Sequence, residues 1–347
     1  MDTPLTTSSV ATSLGAGMKW ANQHGLTRVH SAGEDFEELA LFDELRRRRE
    51  QTLRFYIAYF LNPPVLRAKD IEAIETARKK YHDEWIDTDA VKLMVDGVIE
   101  SHTAGMLEPY SDDPSTKGKL FWDPQKYEAA VVELDQRGLQ LFTHAIGDYG
   151  VRTALDAYER AERANHPRDR RPRIEHIETI TAKDIPRFGQ LGVIASMQPL
   201  HSYPNADTLN VWARNLGPDR AGRAWVWKSI TRDGGHLAFG SDWPVVTLNP
   251  WEGVQTAVTR QTSQGRPEAG FVPEQRLSVD EAIAGYTLGA AYAGRRENSE
   301  GSIEAGKRAD LIVLSQNVLE VDVHRIAETK TVMTMVGGRV VYRVDAK

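Results

Sequence analysis

Five side chains of types that bind metals or move protons stand in or at the ends of short apolar runs. Lys92 lies within "AVKLMVDG", with Asp96 near its end; His144 stands in "LFTHAIGD", His176 in "RIEHIE" and Asp242 in "AFGSDWPV". Two imidazoles and a carboxylate on separate strands can converge on one cation, and that donor set suits zinc, as well as iron or manganese. Each residue also has a plainer reading. A single histidine at a strand end can be hydrogen-bonded structure, Lys92 can point outward into solvent, and Asp242 before Trp243-Pro244 can simply turn the chain. Their recurrence at the ends of successive strands is what points to a metal site. After His144, Gly147 permits a tight exit and Asp148 can cap the following helix.

The elements that must position these groups alternate along the chain. Apolar, β-branched runs predict strands at 27–31, 53–60, 91–96, 139–144, 173–177, 193–198 and 236–242. Amphipathic runs between and after them predict helices at 34–50, 67–82, 124–137, 148–165, 182–190, 220–233, 252–264 and 278–293. Strand-then-helix alternation argues for a parallel sheet, and seven units without a second half argue for an α/β barrel of the TIM type over an open sheet. An eight-stranded barrel needs one strand more. In such a barrel catalytic groups sit at the C-terminal ends of the strands, where these residues fall. Beyond residue 300 the pattern changes to short β segments with glycine turns, "GSIEAGKRADLIVLS" and "KTVMTMVGGRVVYRV". The expected division is 1–299 for the barrel and 300–347 for part of a small β-structure.

The bulk numbers exclude several classes. The 347 residues are 41% hydrophobic and 27% charged, ordinary for a soluble globular protein. A net charge of -6 gives no basic footprint for nucleic acid. With 0 cysteines, disulfides, thiolate metal sites and thiol catalysis are excluded. The start, "MDTPLTTSSVATSLGAG", lacks the features of a signal peptide, and no apolar run approaches the roughly 18 residues of a membrane span. A cytoplasmic protein without membrane partner is the expectation. "RRRR" at 46–49 ends a predicted helix and suits the negative end of its dipole. "GSIEAGKR" has the spacing of a phosphate loop but ends in Arg308 and precedes a strand, and "GAGMKW" lacks the third glycine of a dinucleotide loop.

Taken in order, "GLTRVHSAG", "VKLMVDGVIESHTAGMLEPY", "LFTHAIGD", "RIEHIE", "ASMQPLHSYP", "FGSDWPVVTLNPW" and "GSIEAGKRADLIVLS" resemble the successive motifs of the amidohydrolase superfamily, in the branch that includes N-substituted formamide deformylases. The resemblance implies a (β/α)8 barrel with a small β-sandwich and a divalent metal at the barrel mouth, zinc first, as one or two ions. It implies that His144, His176 and Asp242 are the ligands of the fifth, sixth and eighth strands of such a barrel. It implies that Lys92 is the fourth-strand lysine, which bridges two metals once carboxylated. Asp242 would also orient the attacking water and carry its proton. His201 resembles a substrate-contacting residue, and His102 and Glu100 lie in a loop that would shape the pocket. Trp243, Tyr203 and Met106 could line its apolar part. His30 matches a second-strand position without an assigned chemistry.

The chain departs from that pattern at one point. The superfamily's first strand carries a His-x-His pair of ligands, and this sequence contains none. The expectation is therefore a barrel without its first strand, shortened at the N-terminal side, in which Lys92, His144 and His176 could still hold one ion. The open seam would favour self-association, hence a homo-oligomer. The implied reaction is hydrolysis of an amide-type C–N bond in a small molecule. The alternatives are an inactive scaffold that binds a small molecule or partner, and a phosphoesterase on the same scaffold.

Overall fold

Strand β2 (Arg54–Phe60), RFYIAYF, is apolar on both faces and buried over most of its length, as a parallel strand covered on both sides must be. It belongs to a seven-stranded sheet with β1 (Arg28–Glu34), β3 (Ile86–Met94), β4 (Gln140–Ala145), β5 (Arg173–His176), β6 (Ile194–Met197) and β7 (His236–Phe239). The strands lie in sequence order and every neighbouring pair is parallel. The sheet curls into a partial barrel, the fold expected from the alternating runs. In this computed structural model residues 7–34 and 36–344 are described, so the outermost ends of the two expected parts, 1–6 and 345–347, lie outside them. Among the described residues β1 pairs only with β2 and β7 only with β6.

Helices cover the outer face. Asp123 caps the helix Pro124–Gln136 by accepting from the Gln125 and Lys126 amides, with proline at the first helical position. The outward residues Leu93, Leu141, Ile174, Ala195 and Phe239 pack with these helices in the main core. The inner face is a smaller cluster of Tyr56, Ala58, Ala90 and Phe142. Register then places the chemistry on that inner face. Lys92 stands level with Phe142, and His144 level with both Met94 and Glu175.

Several boundaries differ from the sequence reading. β3 begins earlier than expected and β7 ends at Phe239, so Asp96 and Asp242 lie in the loops beyond their strands. The run 34–50 becomes a 3-10 turn, Phe36–Leu39, followed by the helix Ala40–Arg47, and 220–233 divides into Pro218–Ala221 and Trp227–Arg232. The helix Thr7–Gln23 contains the whole of "GAGMKW", which removes that segment from any loop. Asp148 is not the helix cap. Gly147 occupies that position, and the Asp148 carboxylate instead accepts from the Leu107 amide at 2.9 Å. An added Cβ at Gly147 would overlap the Gly105 carbonyl, so the tight exit requires glycine for close approach.

Strands β8 (Leu311–Leu314), β9 (Thr331–Val336) and β10 (Arg339–Arg343) form an antiparallel sheet. Buried ion pairs Arg28–Glu300 at 2.6 Å and Arg54–Asp310 at 2.9 Å fasten the C-terminal region to the N-terminal ends of β1 and β2. That is the rim opposite the mouth. No helix among the described residues is long and apolar enough to cross a membrane.

Candidate metal centre

The inner face of a strand is fixed by alternation, and on β5 the inward residues are Arg173 and Glu175. Arg173 lies over the Phe142 ring at 3.8 Å, and its Nε donates to Glu175 at 2.9 Å. By the same alternation His176 should face outward like Ile174. It does not, because its backbone takes φ 78°, followed by Ile177 at φ 51°. Left-handed backbone at non-glycine residues costs on the order of 1–3 kcal/mol each and is concentrated at functional sites. Asp242 is held the same way, at φ 57°. The turn brings the His176 ring to 4.6 Å, centroid to centroid, from His144.

Hydrogen bonds fix which nitrogen each ring presents. His144 Nε2 lies 3.1 Å from the Gly97 carbonyl oxygen, which can only accept, so Nε2 carries the proton and Nδ1 keeps its lone pair. His176 is the mirror case. Its Nδ1 meets Gln198 Oε1 at 2.8 Å, while the Gln198 amide nitrogen faces the Ser196 carbonyl oxygen, leaving His176 Nε2 as the free donor atom. Burial holds both rings neutral: it pulls His144 down to about 3, helped by the charge of Lys92, and His176 well below the ordinary histidine value. Neutral imidazole is the form a metal needs.

Lys92 is buried on β3, and burial lowers its affinity for a proton against the attraction of Glu175 and Asp242. The carboxyl of Asp242 is raised by burial and lowered in part by His201 and Lys92. His201 stands in the 3-10 turn Pro199–Ser202, its Nε2 3.9 Å from Asp242 Oδ2. The buried Asp96 accepts from the Gly105, Ile146 and Gly147 amides and lies 3.7 Å from His144 Nε2, so it supports His144 from behind.

The structure thus brings Lys92, His144, His176, Asp242 and His201 to one end of the barrel. His102 turns elsewhere: its Nε2 meets Asp112 at 2.9 Å and its ring packs against Tyr110. Trp243, beside Asp242, is 51% exposed and meets Trp20 edge-on, whereas Met106 is buried and the Tyr203 hydroxyl faces Ser263. Sequence reasoning missed Glu175, Glu178 and Gln198. The Arg173–Glu175 pair had a signal, two opposite charges spaced by two within an apolar strand. A second group, His82, Asp87 and Asp89, lies at the start of β3, where Arg296 and Arg78 already neutralise the carboxylates.

A partial parallel barrel with imidazoles and carboxylates at its C-terminal mouth offers a donor set that could hold a divalent cation. The family model described as "Amidohydrolase family" matches residues 1–342, and the chain belongs to that family. It is 31% identical over 338 residues to the protein LONG AFTER FAR-RED 3 of Arabidopsis thaliana, covering 93% of this chain and 56% of that one. It is 28% identical over 250 residues to the N-substituted formamide deformylase of Arthrobacter pascens, covering 72% and 44%. An uncharacterized metal-dependent hydrolase from Pyrococcus furiosus has a TM-score of 0.70 at 26% identity, over 89% of this chain and 60% of that chain. The chain spans about half the length of the curated relatives it matches.

Proposed function

We propose that this chain is a divalent-metal hydrolase that cleaves an amide-type C–N bond in a small molecule in the cytoplasm. The observation that carries the reading is that His144 and His176 are each tied back through one nitrogen, leaving the other free, with ligand atoms of His176 and Asp242 within 4.8 Å of one another. His176 Nε2 and Asp242 are donors for one ion, zinc first, and His144 Nδ1 with Lys92, once carboxylated, would serve a second. The lowered proton affinity of buried Lys92 favours the neutral amine, the form that adds carbon dioxide and releases a proton to become an anionic carbamate. When bound, such an ion lowers the pKa of water toward about 7 and polarises a carbonyl.

Asp242 accepts a proton as water oxygen adds to the carbonyl carbon, and returns it to the nitrogen as the C–N bond breaks, giving a carboxylate and an amine. Its burial-raised carboxyl suits that exchange. Trp243 supplies contacts at the rim, and His201 lies within reach of both Asp242 and an incoming substrate. The name of the Arthrobacter relative supports a formamide-type bond.

The test is elemental mass spectrometry on the 347-residue chain supplied with zinc and bicarbonate, beside release of formate from N-formyl amines. About one zinc per chain, lost in His176→Ala, together with formate release, is the expected result. A folded chain that takes no metal and releases no formate overturns the proposal. One observation favours a second reading, a scaffold that binds without turnover: the sequence has no His-x-His pair. Metal uptake without hydrolysis of any amide would decide for it.

A further inference from the structure

His201 carries more than a substrate contact. Its Nε2 is buried and has no hydrogen-bond partner among the described residues. It is aimed at Asp242 Oδ2, 3.9 Å away. On the other side of the ring, His201 Nδ1 lies 3.7 Å from Glu178 Oε1. Glu178 is itself anchored, since its other oxygen accepts from Trp212 Nε1 at 2.6 Å. At 3.7 and 3.9 Å neither carboxylate is hydrogen-bonded to the ring, so the buried Nε2 is left to turn to an ion.

His176 is the neighbouring ring. Its ring is stacked on His201 at 5.6 Å with an interplanar angle of 9°, and Gln198 holds its Nδ1. Ligand atoms of His176, His201 and Asp242 all lie within 4.8 Å of one another. Zinc bonds of about 2.1 Å place tetrahedral donors roughly 3.4 Å apart, so side-chain adjustment of about 1 Å closes the group on an ion. Metal-ligating histidines characteristically give their second nitrogen to a carboxylate or carbonyl oxygen; His176 gives its Nδ1 to Gln198 Oε1 at 2.8 Å, and Glu178, 3.7 Å from His201 Nδ1, is placed to take that part as the ring adjusts.

We propose that His201 is a metal ligand: His176, His201 and Asp242 form a two-histidine, one-carboxylate site for one divalent cation, with Glu178 as the positioning residue behind His201. The site draws on neither a carboxylated Lys92 nor a His-x-His pair, and the fourth position stays open to water or substrate. It rests on the metal-dependent reading above and gives that reading a cation position that this sequence can build by itself.

The test is zinc titration by calorimetry of the full chain and of His201→Ala, His201→Asn, Glu178→Gln and His144→Ala, with visible absorption of the cobalt-substituted forms as a second readout. Circular dichroism establishes that each variant is folded, and His201→Asn stands in if His201→Ala does not fold. Loss of zinc binding in the His201 variants, roughly 10–100-fold weaker binding in Glu178→Gln and retained binding in His144→Ala are expected. Wild-type zinc affinity in folded His201→Ala or His201→Asn overturns the proposal. If His144→Ala abolishes binding that His201→Ala keeps, this inference fails while the metal-hydrolase reading stands. If the wild-type chain binds no zinc, both fail.

Discussion

Replacing Asp96 tests how the mouth is braced. Its Oδ2 accepts the Gly105 and Gly147 amides, each at 2.9 Å, and its Oδ1 accepts the Ile146 amide at 3.0 Å. The side chain is fully buried, so water does not replace it as acceptor. An orphaned buried N–H costs about 1–3 kcal/mol. Asp96→Asn, with its carbonyl oxygen at the position that serves two amides, strands one donor and should cost about 2 kcal/mol. Asp96→Ala strands three and should cost about 6 kcal/mol by the same reasoning. Gly150, in the helix Asp148–Ala164, presses on this carboxylate, because a Cβ there would overlap Asp96 Oδ2. Glycine to alanine inside a helix ordinarily gains up to about 1 kcal/mol. Here Gly150→Ala should instead lose about 2 kcal/mol by overpacking, and should regain its favourable sign once Asp96 is alanine. Urea unfolding of the two single variants and the double variant, followed by circular dichroism, gives the coupling. Additivity within about 0.5 kcal/mol, or Asp96→Ala costing no more than Asp96→Asn, refutes the reasoning.

Breaking the buried Arg173–Glu175 pair by Arg173→Met should cost about 3–5 kcal/mol, and replacing both by apolar residues should recover most of it; unfolding midpoints decide. Neutral buried His30, His144 and His176 make the metal-free chain sensitive to acid. Their folded-state values are depressed, so their contribution is complete above the unfolded value of about 6.5 and is lost as pH falls, for His144 across the range down to about 3, at up to about 1.4 kcal/mol per pH unit for each ring. The buried Asp96 carboxyl, raised to about 7, acts in the opposite sense, so the check is made in Asp96→Asn, where equal unfolding midpoints at pH 7 and pH 5 would contradict this. Trp243→Ala, at a half-exposed position, should change stability by less than about 0.5 kcal/mol while raising KM with kcat retained. The outer edges of β1 and β7 should make the chain self-associate with rising concentration, which sedimentation velocity would show.

Much of this fold could be read along the chain because its signals are local. Continuous apolar runs such as RFYIAYF mark strands buried on both faces, and Asp123-Pro124 and Ser278 with Glu281 mark helix starts. The boundaries were less legible. The 3-10 turn before Ala40 and the division near Val226 depend on packing that no local pattern carries. His201 was legible as a residue near the site but not as a neighbour of Asp242, since they lie on different loops and meet only through the curl of the sheet.

The sequence by itself determined that strands and helices alternate, and that the strand ends bear lysine, histidine and aspartate, because period and residue type are local properties. Only the tertiary structure decided which nitrogen each histidine presents, through the Gly97 carbonyl and the Gln198 amide. It also turned His176 against the alternation of its own strand, by a left-handed backbone that the surrounding contacts must hold. Partners far apart in the chain have no signature at the residue they orient, so tautomer and direction become defined only when the sheet closes around them.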